Sequence, residues 1–116
     1  PCLVYDYPHD QATLAKIKNL SDYPVAARFE VFIKGIEIAN GYHELTDPQE
    51  QYQRMCEQCD KRKHLNRKQV ELDMQLLSAL YHGLPNCSGV ALGLDRLIMV
   101  ILGLAELDQA VSFSLG

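Results

Sequence analysis

The chain has no apolar run long enough to cross a bilayer. Its longest, Leu97 to Leu102, falls far short of the roughly 20 residues that a spanning helix needs. It has no excess of positive charge either. A net charge of −4 argues against a general binder of nucleic acid or of membrane surfaces, and leaves room only for a local basic patch. No basic n-region leads into a long apolar segment, so no secretory signal is read, and a cytoplasmic location is expected. There is no starting Met, and the chain opens in a strand-like run, which suggests a piece of something longer. A second CxxC is also missing. Cys56 and Cys59 form one pair inside a predicted helix, with His64 beyond it, whereas zinc sites carry two pairs or a pair plus closely spaced His. The four cysteines therefore read as small apolar residues in a reducing compartment. No internal repeat and no low-complexity tract is visible.

What is present is an ordinary globular composition. With 47% apolar and 22% charged residues, 116 residues suffice for one domain with a core. Cys2 to Tyr7 reads as a strand ending at Pro8. Asp10 to Leu20 reads as a loop or short helix, followed by the turn-rich NLSDYP. Val25 to Ile33 is a long strand, with Phe29, Val31 and Ile33 on one face and Arg28, Glu30 and Phe32 on the other. Lys34-Gly35 fits a two-residue hairpin turn, and Ile36 to Ala39 returns as the second strand.

Asp47-Pro48-Gln49-Glu50 is a strong helix start, and that helix should run to about Lys63 with a thin apolar stripe of Tyr52, Met55, Cys56 and Cys59. The basic run Lys61 to Lys68 reads as cations at the negative end of that helix, since no aromatics interleave with the charges. Gln69 to His82 is a second helix ended by Gly83 and Pro85. Ser88 to Gly93 is a short strand of small residues, LDRLIMVILG a helix buried on most sides, and Ala110 to Leu115 a closing strand. Hairpins with helices between them predict an antiparallel α+β domain.

Two constellations carry chemistry. With the turn at Lys34-Gly35, Phe32 faces Glu37 and Glu30 faces Ala39, so Glu30 and Glu37 become diagonal neighbours on one face. Two such carboxylates repel unless a cation or water separates them. They suit Mg²⁺, which takes a few carboxylate oxygens and completes its shell with water and phosphate. A solvated outer sheet face with Arg28 as counter-charge explains the pair as well, and pattern alone favours it. In GVALGLDRL, Gly89, Ala91 and Gly93 leave one strand face bare, and Arg96 follows in the first helical turn beside Asp95. A bare face lets a flat ligand lie on backbone, and a guanidinium can stack on a purine or hold a phosphate. The bland reading is tight strand–helix packing with a surface Arg–Asp pair.

ARFEVFIKGIEIANGYHEL and GVALGLDRL together resemble the class II aminoacyl-tRNA synthetase catalytic domain, in its lysyl branch. The second stretch is similar to that class's motif 3, at 88–103. The likeness runs from YDYP to VSFS, nearly the whole chain, and implies a C-terminal part of the domain. Within the branch, Ala39, His43 and Ala91 resemble the ligases that attach (R)-β-lysine to elongation factor P more than the tRNA-charging enzymes, whose use of tRNA is the alternative. The Ala91 methyl would narrow the amino-acid end of the pocket, a way to alter selection between α- and β-lysine.

The resemblance implies ATP and Mg²⁺ as cofactors. Glu30 and Glu37 would hold the metal. Glu37, Ile38, Gly93 and Arg96 would bind ATP, with Glu37 and Arg96 catalytic. Asn40, Tyr42, Glu44 and Ala91 would border lysine or (R)-β-lysine, with Glu44 pairing the substrate ammonium. Simple alternation puts Asn40 on the wrong face, so a bulge or turn is expected at Asn40-Gly41. The class's motifs 1 and 2, which build the dimer and supply an Arg to the α-phosphate, do not occur in these residues. A homodimer is therefore expected of the full-length protein. The 116 residues alone are expected to be inactive, and to self-associate through unpaired sheet edges and apolar patches.

Overall fold

Lys34 and Gly35 both adopt positive φ, 53° and 80°. That is type I′ turn geometry, whose twist matches a right-twisted antiparallel pair. The computed structural model describes residues 1–20 and 22–113. In it the hairpin lies at the centre of a five-stranded sheet of β1 (Cys2–Pro8), β2 (Ile17–Leu20), β3 (Tyr23–Ile33), β4 (Ile36–His43) and β5 (Ser88–Leu92). The order is β1-β3-β4-β5, and every pairing is antiparallel. Ala26 pairs Tyr7 on one side and Ile17 on the other, so β2 takes over the edge of β3 that β4 leaves beyond Arg28. Only a loop or short helix was expected where β2 forms. Its residues are all exposed, so no burial pattern in the sequence marks it as a strand.

Among the described residues, three helices accompany the sheet: α1 (Pro48–His64), α2 (Met74–Tyr81) and α3 (Leu94–Leu102). Asp47 caps α1 as its sequence predicts, its Oδ1 accepting the N–H groups of Gln49 at 2.8 Å and Glu50 at 3.1 Å. The second helix is shorter than its apolar pattern suggests. Asp73 Oδ1 accepts the Leu76 N–H at 2.9 Å and fixes the start at Met74 rather than Gln69. The preceding segment is tied to α1 instead, where Arg62 Nε donates to the Lys68 carbonyl and Cys59 Sγ to that of Val70.

Two further expectations are corrected. In α3, Met99 is buried but Ile101 is 70% exposed, because no described element covers that side. Residues 110–113 form no strand. They are turn and bend following a single 3-10 turn at Leu107–Gln109, and Leu115 lies outside the described residues. The best-packed spot is small: Ala12, Ala15 and Ala26, with Tyr7 and Tyr42 against them. By register it adjoins one end of the acidic face described next.

Candidate active site

The register of β3 on β4 decides which side chains meet. From the turn, Ile33 pairs Ile36 and Phe32 pairs Glu37, as expected. The register then slips: Val31 pairs Ala39 and Glu30 pairs Asn40. Glu37 and Ile38 together oppose Phe32, the signature of a β-bulge. The expected pairing of Glu30 with Ala39 is therefore wrong by one residue. The expected irregularity exists, but at Ile38, and β4 runs straight through Asn40-Gly41.

That one extra residue reassigns faces. Glu37 stays on the side of Phe32 and Glu30, while Asn40 now joins them opposite Glu30 and Tyr42 lies opposite Arg28. Asn40 Nδ2 donates to Glu37 Oε1 at 3.3 Å. β5 continues the surface with Ala91 opposite Asn40 and Gly89 opposite Tyr42. The Glu44 carboxylate reaches the same strip, since a Cβ placed on Gly89 would lie 2.5 Å from Glu44 Oε1.

The bulge also ties the sheet to the β5–α3 corner. The Ile38 carbonyl accepts the Gly93 N–H at 2.8 Å. The Glu37 carbonyl accepts Arg96 Nη1 at 3.0 Å, and the same nitrogen lies 3.7 Å from Glu37 Oε2. Both side chains remain substantially open, 49% exposed for Arg96 and 36% for Glu37. An ion pair that open is weak and easily exchanged for a ligand. Glu37, Ile38, Asn40, Ala91, Gly93 and Arg96 line a cleft of about 310 Å³, which Asp95 and Leu107 help close. A larger cleft of about 810 Å³ lies between α1, residues 9–17 and residues 70–73, and includes none of the residues expected to bind ATP, metal or amino acid. Six of the candidate site residues meet at the smaller one, and Glu30, Tyr42 and Glu44 do not line it.

Glu30 has a different setting. It is buried, with 8% of its surface exposed. Its Oε1 is paired with Arg28 Nη2, and its Oε2 accepts the Tyr7 hydroxyl at 2.6 Å. The Arg28 guanidinium lies over the Tyr7 ring, 4.5 Å from its centroid, and 5.8 Å from that of Tyr42. It also donates to the Gln11 carbonyl at 2.9 Å. Burial pushes the Tyr7 hydroxyl up to about 12, helped by its bond to Glu30 and by the Glu30 and Glu37 charges, with Arg28 opposing. Tyr7 thus stays a donor at any ordinary pH. Sequence reasoning missed it. β1 pairs out of register between Tyr5 and Tyr7, around an Asp6 at φ 58°, and this brings Tyr7 beside Ala26 on the Arg28 face. Only the Tyr7-Pro8 step at the strand end hints at an irregularity there.

As a metal seat this face offers two carboxylates. No cluster of three metal-capable side chains occurs among the described residues. That donor set suits Mg²⁺, which binds through one or two carboxylates and draws its other ligands from phosphate and water.

The model of the family described as tRNA synthetases class II (D, K and N) matches residues 1–115. The chain belongs to this family. The synthetase's antiparallel sheet with flanking helices is the α+β class read from the sequence. Curated relatives point to one subgroup of the family. A Vibrio parahaemolyticus protein named elongation factor P--(R)-beta-lysine ligase is 53% identical over 113 residues, which is 97% of this chain and 35% of the relative. A Yersinia enterocolitica protein of the same name is 50% identical over 116 residues, 100% of this chain and 35% of the relative. One from Buchnera aphidicola is 51% identical over 114 residues, 98% of this chain and 35% of its own length. The synthetase segment here thus spans about a third of the length of the curated relatives it matches.

Proposed function

We propose that this segment belongs to an ATP-dependent ligase that activates lysine or (R)-β-lysine as the adenylate and transfers it to a lysine of elongation factor P. The observation that carries the reading is the Glu37–Arg96 corner. A half-open carboxylate and a half-open guanidinium share one cleft, held there by the Arg96 bond to the Glu37 carbonyl and by the Gly93 N–H on the neighbouring Ile38 carbonyl. The names of relatives at about half identity support the substrate and the acceptor.

In this reading the substrate carboxylate attacks the α-phosphorus of ATP. A P–O bond to the β-phosphate breaks, pyrophosphate leaves, and the acyl group passes from AMP to the acceptor amine, which loses a proton. Glu30 and Glu37 would hold Mg²⁺, which supplies charge neutralisation on the triphosphate when bound. Arg96 sits where it can exchange its Glu37 contact for phosphate oxygen, which its planar fork suits. Ile38 and Gly93 offer a flat backbone surface for the nucleotide. Asn40, Tyr42, Glu44 and Ala91 border the amino acid, and Glu44 supplies the charge that an ammonium needs. Catalysis comes chiefly from positioning and preorganised charge. The full-length protein is read as a cytoplasmic homodimer.

The test is pyrophosphate exchange by the full-length protein with each lysine isomer, followed by acyl transfer to elongation factor P or to tRNA. The reading expects exchange with lysine or β-lysine, transfer to elongation factor P, and no exchange by the isolated 116 residues. Transfer to tRNA alone would move the protein to the tRNA-charging side of the branch. Absence of exchange with either isomer overturns the ligase reading.

A further inference from the structure

We infer that Tyr7 and Arg28 are positioning residues that hold Glu30 in the orientation its partnership with Glu37 requires. The inference rests on the proposed reading of Glu30 and Glu37 as the metal-bearing pair, and extends it to two residues outside that pair.

Glu30 is buried on the same sheet face as a second carboxylate. Two carboxylates on one face repel, and a side chain under that repulsion turns away unless something holds it in place. Here each oxygen has its own partner. Arg28 Nη2 is on Oε1 and the Tyr7 hydroxyl is on Oε2. Two donors on two oxygens fix the carboxylate plane, as one donor could not. Each oxygen still keeps a second lone pair, so the bonds orient the group without using it up.

The clamp is itself held from several directions. Arg28 Nη1 is tied to the Gln11 carbonyl, and its guanidinium lies over Tyr7 with Tyr42 beyond. Arg28 Nε is buried without a partner among the described residues. Leaving a guanidinium nitrogen unpaired is costly. That the side chain nevertheless sits here argues that its two Nη contacts and the ring contacts outweigh the loss. Tyr7 reaches Glu30 only because β1 slips register at Asp6, a residue at φ 58°. An uncommon backbone conformation spent on delivering one hydroxyl to one carboxylate fits a positioning role better than core filling.

The experiment uses the full-length protein and Mn²⁺ as the probe. Mn²⁺ affinity in the presence of ATP is followed by electron paramagnetic resonance, with thermal unfolding measured alongside. Tyr7→Phe keeps the ring and removes only the hydroxyl. It should weaken Mn²⁺ binding about threefold to tenfold, the worth of one hydrogen bond, and lower Tm modestly. Arg28→Lys keeps the charge but loses the fork, and should weaken it further. Glu30→Gln is the reference. If Glu30→Gln weakens Mn²⁺ binding while Tyr7→Phe and Arg28→Lys leave it unchanged, the positioning inference is overturned and the metal reading stands. If Glu30→Gln has no effect, the metal reading itself falls and takes this inference with it. A lowered Tm with unchanged Mn²⁺ affinity in Tyr7→Phe marks a purely structural bond, and overturns the inference as well.

Discussion

A single methyl group at Gly89 separates the proposed recognition role of Glu44 from its contribution to the fold. A Cβ at Gly89 would stand 2.5 Å from Glu44 Oε1 and 3.6 Å from its Cδ. Ordinary contact needs roughly 3.5 Å, so the carboxylate must retreat by about 1 Å. It can do so, because it is the free end of a flexible side chain. The stability cost in Gly89→Ala is that of a strained rotamer, about 0.5–1.5 kcal/mol. The functional cost is larger. A carboxylate displaced by about 1 Å no longer meets an ammonium in hydrogen-bonding geometry, and a charged hydrogen bond is worth about 1.5–3 kcal/mol. In the full-length protein kcat/KM for the lysine substrate should therefore fall about tenfold to 150-fold, with the KM for ATP unchanged. Gly41→Ala is the contrast. There the Cβ would lie 2.6 Å from Phe29 Cζ and 2.8 Å from the Gly89 carbonyl oxygen, and a backbone oxygen cannot swing away. Overpacking of that kind costs about 1–3 kcal/mol, so Gly41→Ala should lower Tm markedly. Pyrophosphate exchange against each substrate, with thermal unfolding of both variants, reads the two effects apart. Unchanged lysine kinetics in folded Gly89→Ala would show that Glu44 does not contact the amino acid.

Two further outcomes follow from the geometry. Arg96→Lys keeps a positive charge but cannot serve the Glu37 carbonyl and a phosphate together, so nucleotide KM should rise about tenfold or more with the lysine KM little changed; equal loss for both substrates would place Arg96 elsewhere in the mechanism. The Tyr7 hydroxyl, raised from 10 to about 12 chiefly by burial, stabilises the fold below pH 10, and that contribution is lost as pH climbs through 10 to 12. Denaturant titrations across that window should show a steeper loss for the native protein than for Tyr7→Phe, and parallel curves would remove the buried hydroxyl from the account.

Much of this was legible in the residues because the signals were local. Lys34-Gly35 announces its own turn, and Asp47-Pro48 its own helix start. The small residues of β5 and the Arg96 beyond them lie within nine positions of one another. Less legible was what depends on distant neighbours. The apolar pattern of α3 predicts burial all round, yet burial needs a covering element, and none among the described residues covers Ile101 or Leu102. The start of α2 was misjudged because an apolar pattern extends past the capping Asp73. β2 has no alternation to read, since its partner β3 alone makes it a strand.

The bulge at Ile38 shows why the site itself lay between these two cases. Counting by twos along β4 puts Glu37, Ala39 and Gly41 on one side and Asn40, Tyr42 and Glu44 on the other. On a regular strand, then, the residues assigned to the nucleotide and those assigned to the amino acid would face opposite ways. One inserted residue turns the second set onto the side of the first. The sequence demands an irregularity if all four are to cooperate, but it does not say where, because Asn40-Gly41 looks like the more permissive place. The position is chosen by long-range bonds instead. The carbonyls of Glu37 and Ile38 are the ones that accept the Arg96 guanidinium and the Gly93 N–H from the β5–α3 corner. A bulge two residues later would move those carbonyls away from the corner and leave Arg96 without its anchor. The same contacts that place Arg96 beside Glu37 therefore also decide which residues share its face. For that reason the acidic hairpin and the strand–helix corner act as one device rather than as two motifs that happen to be near.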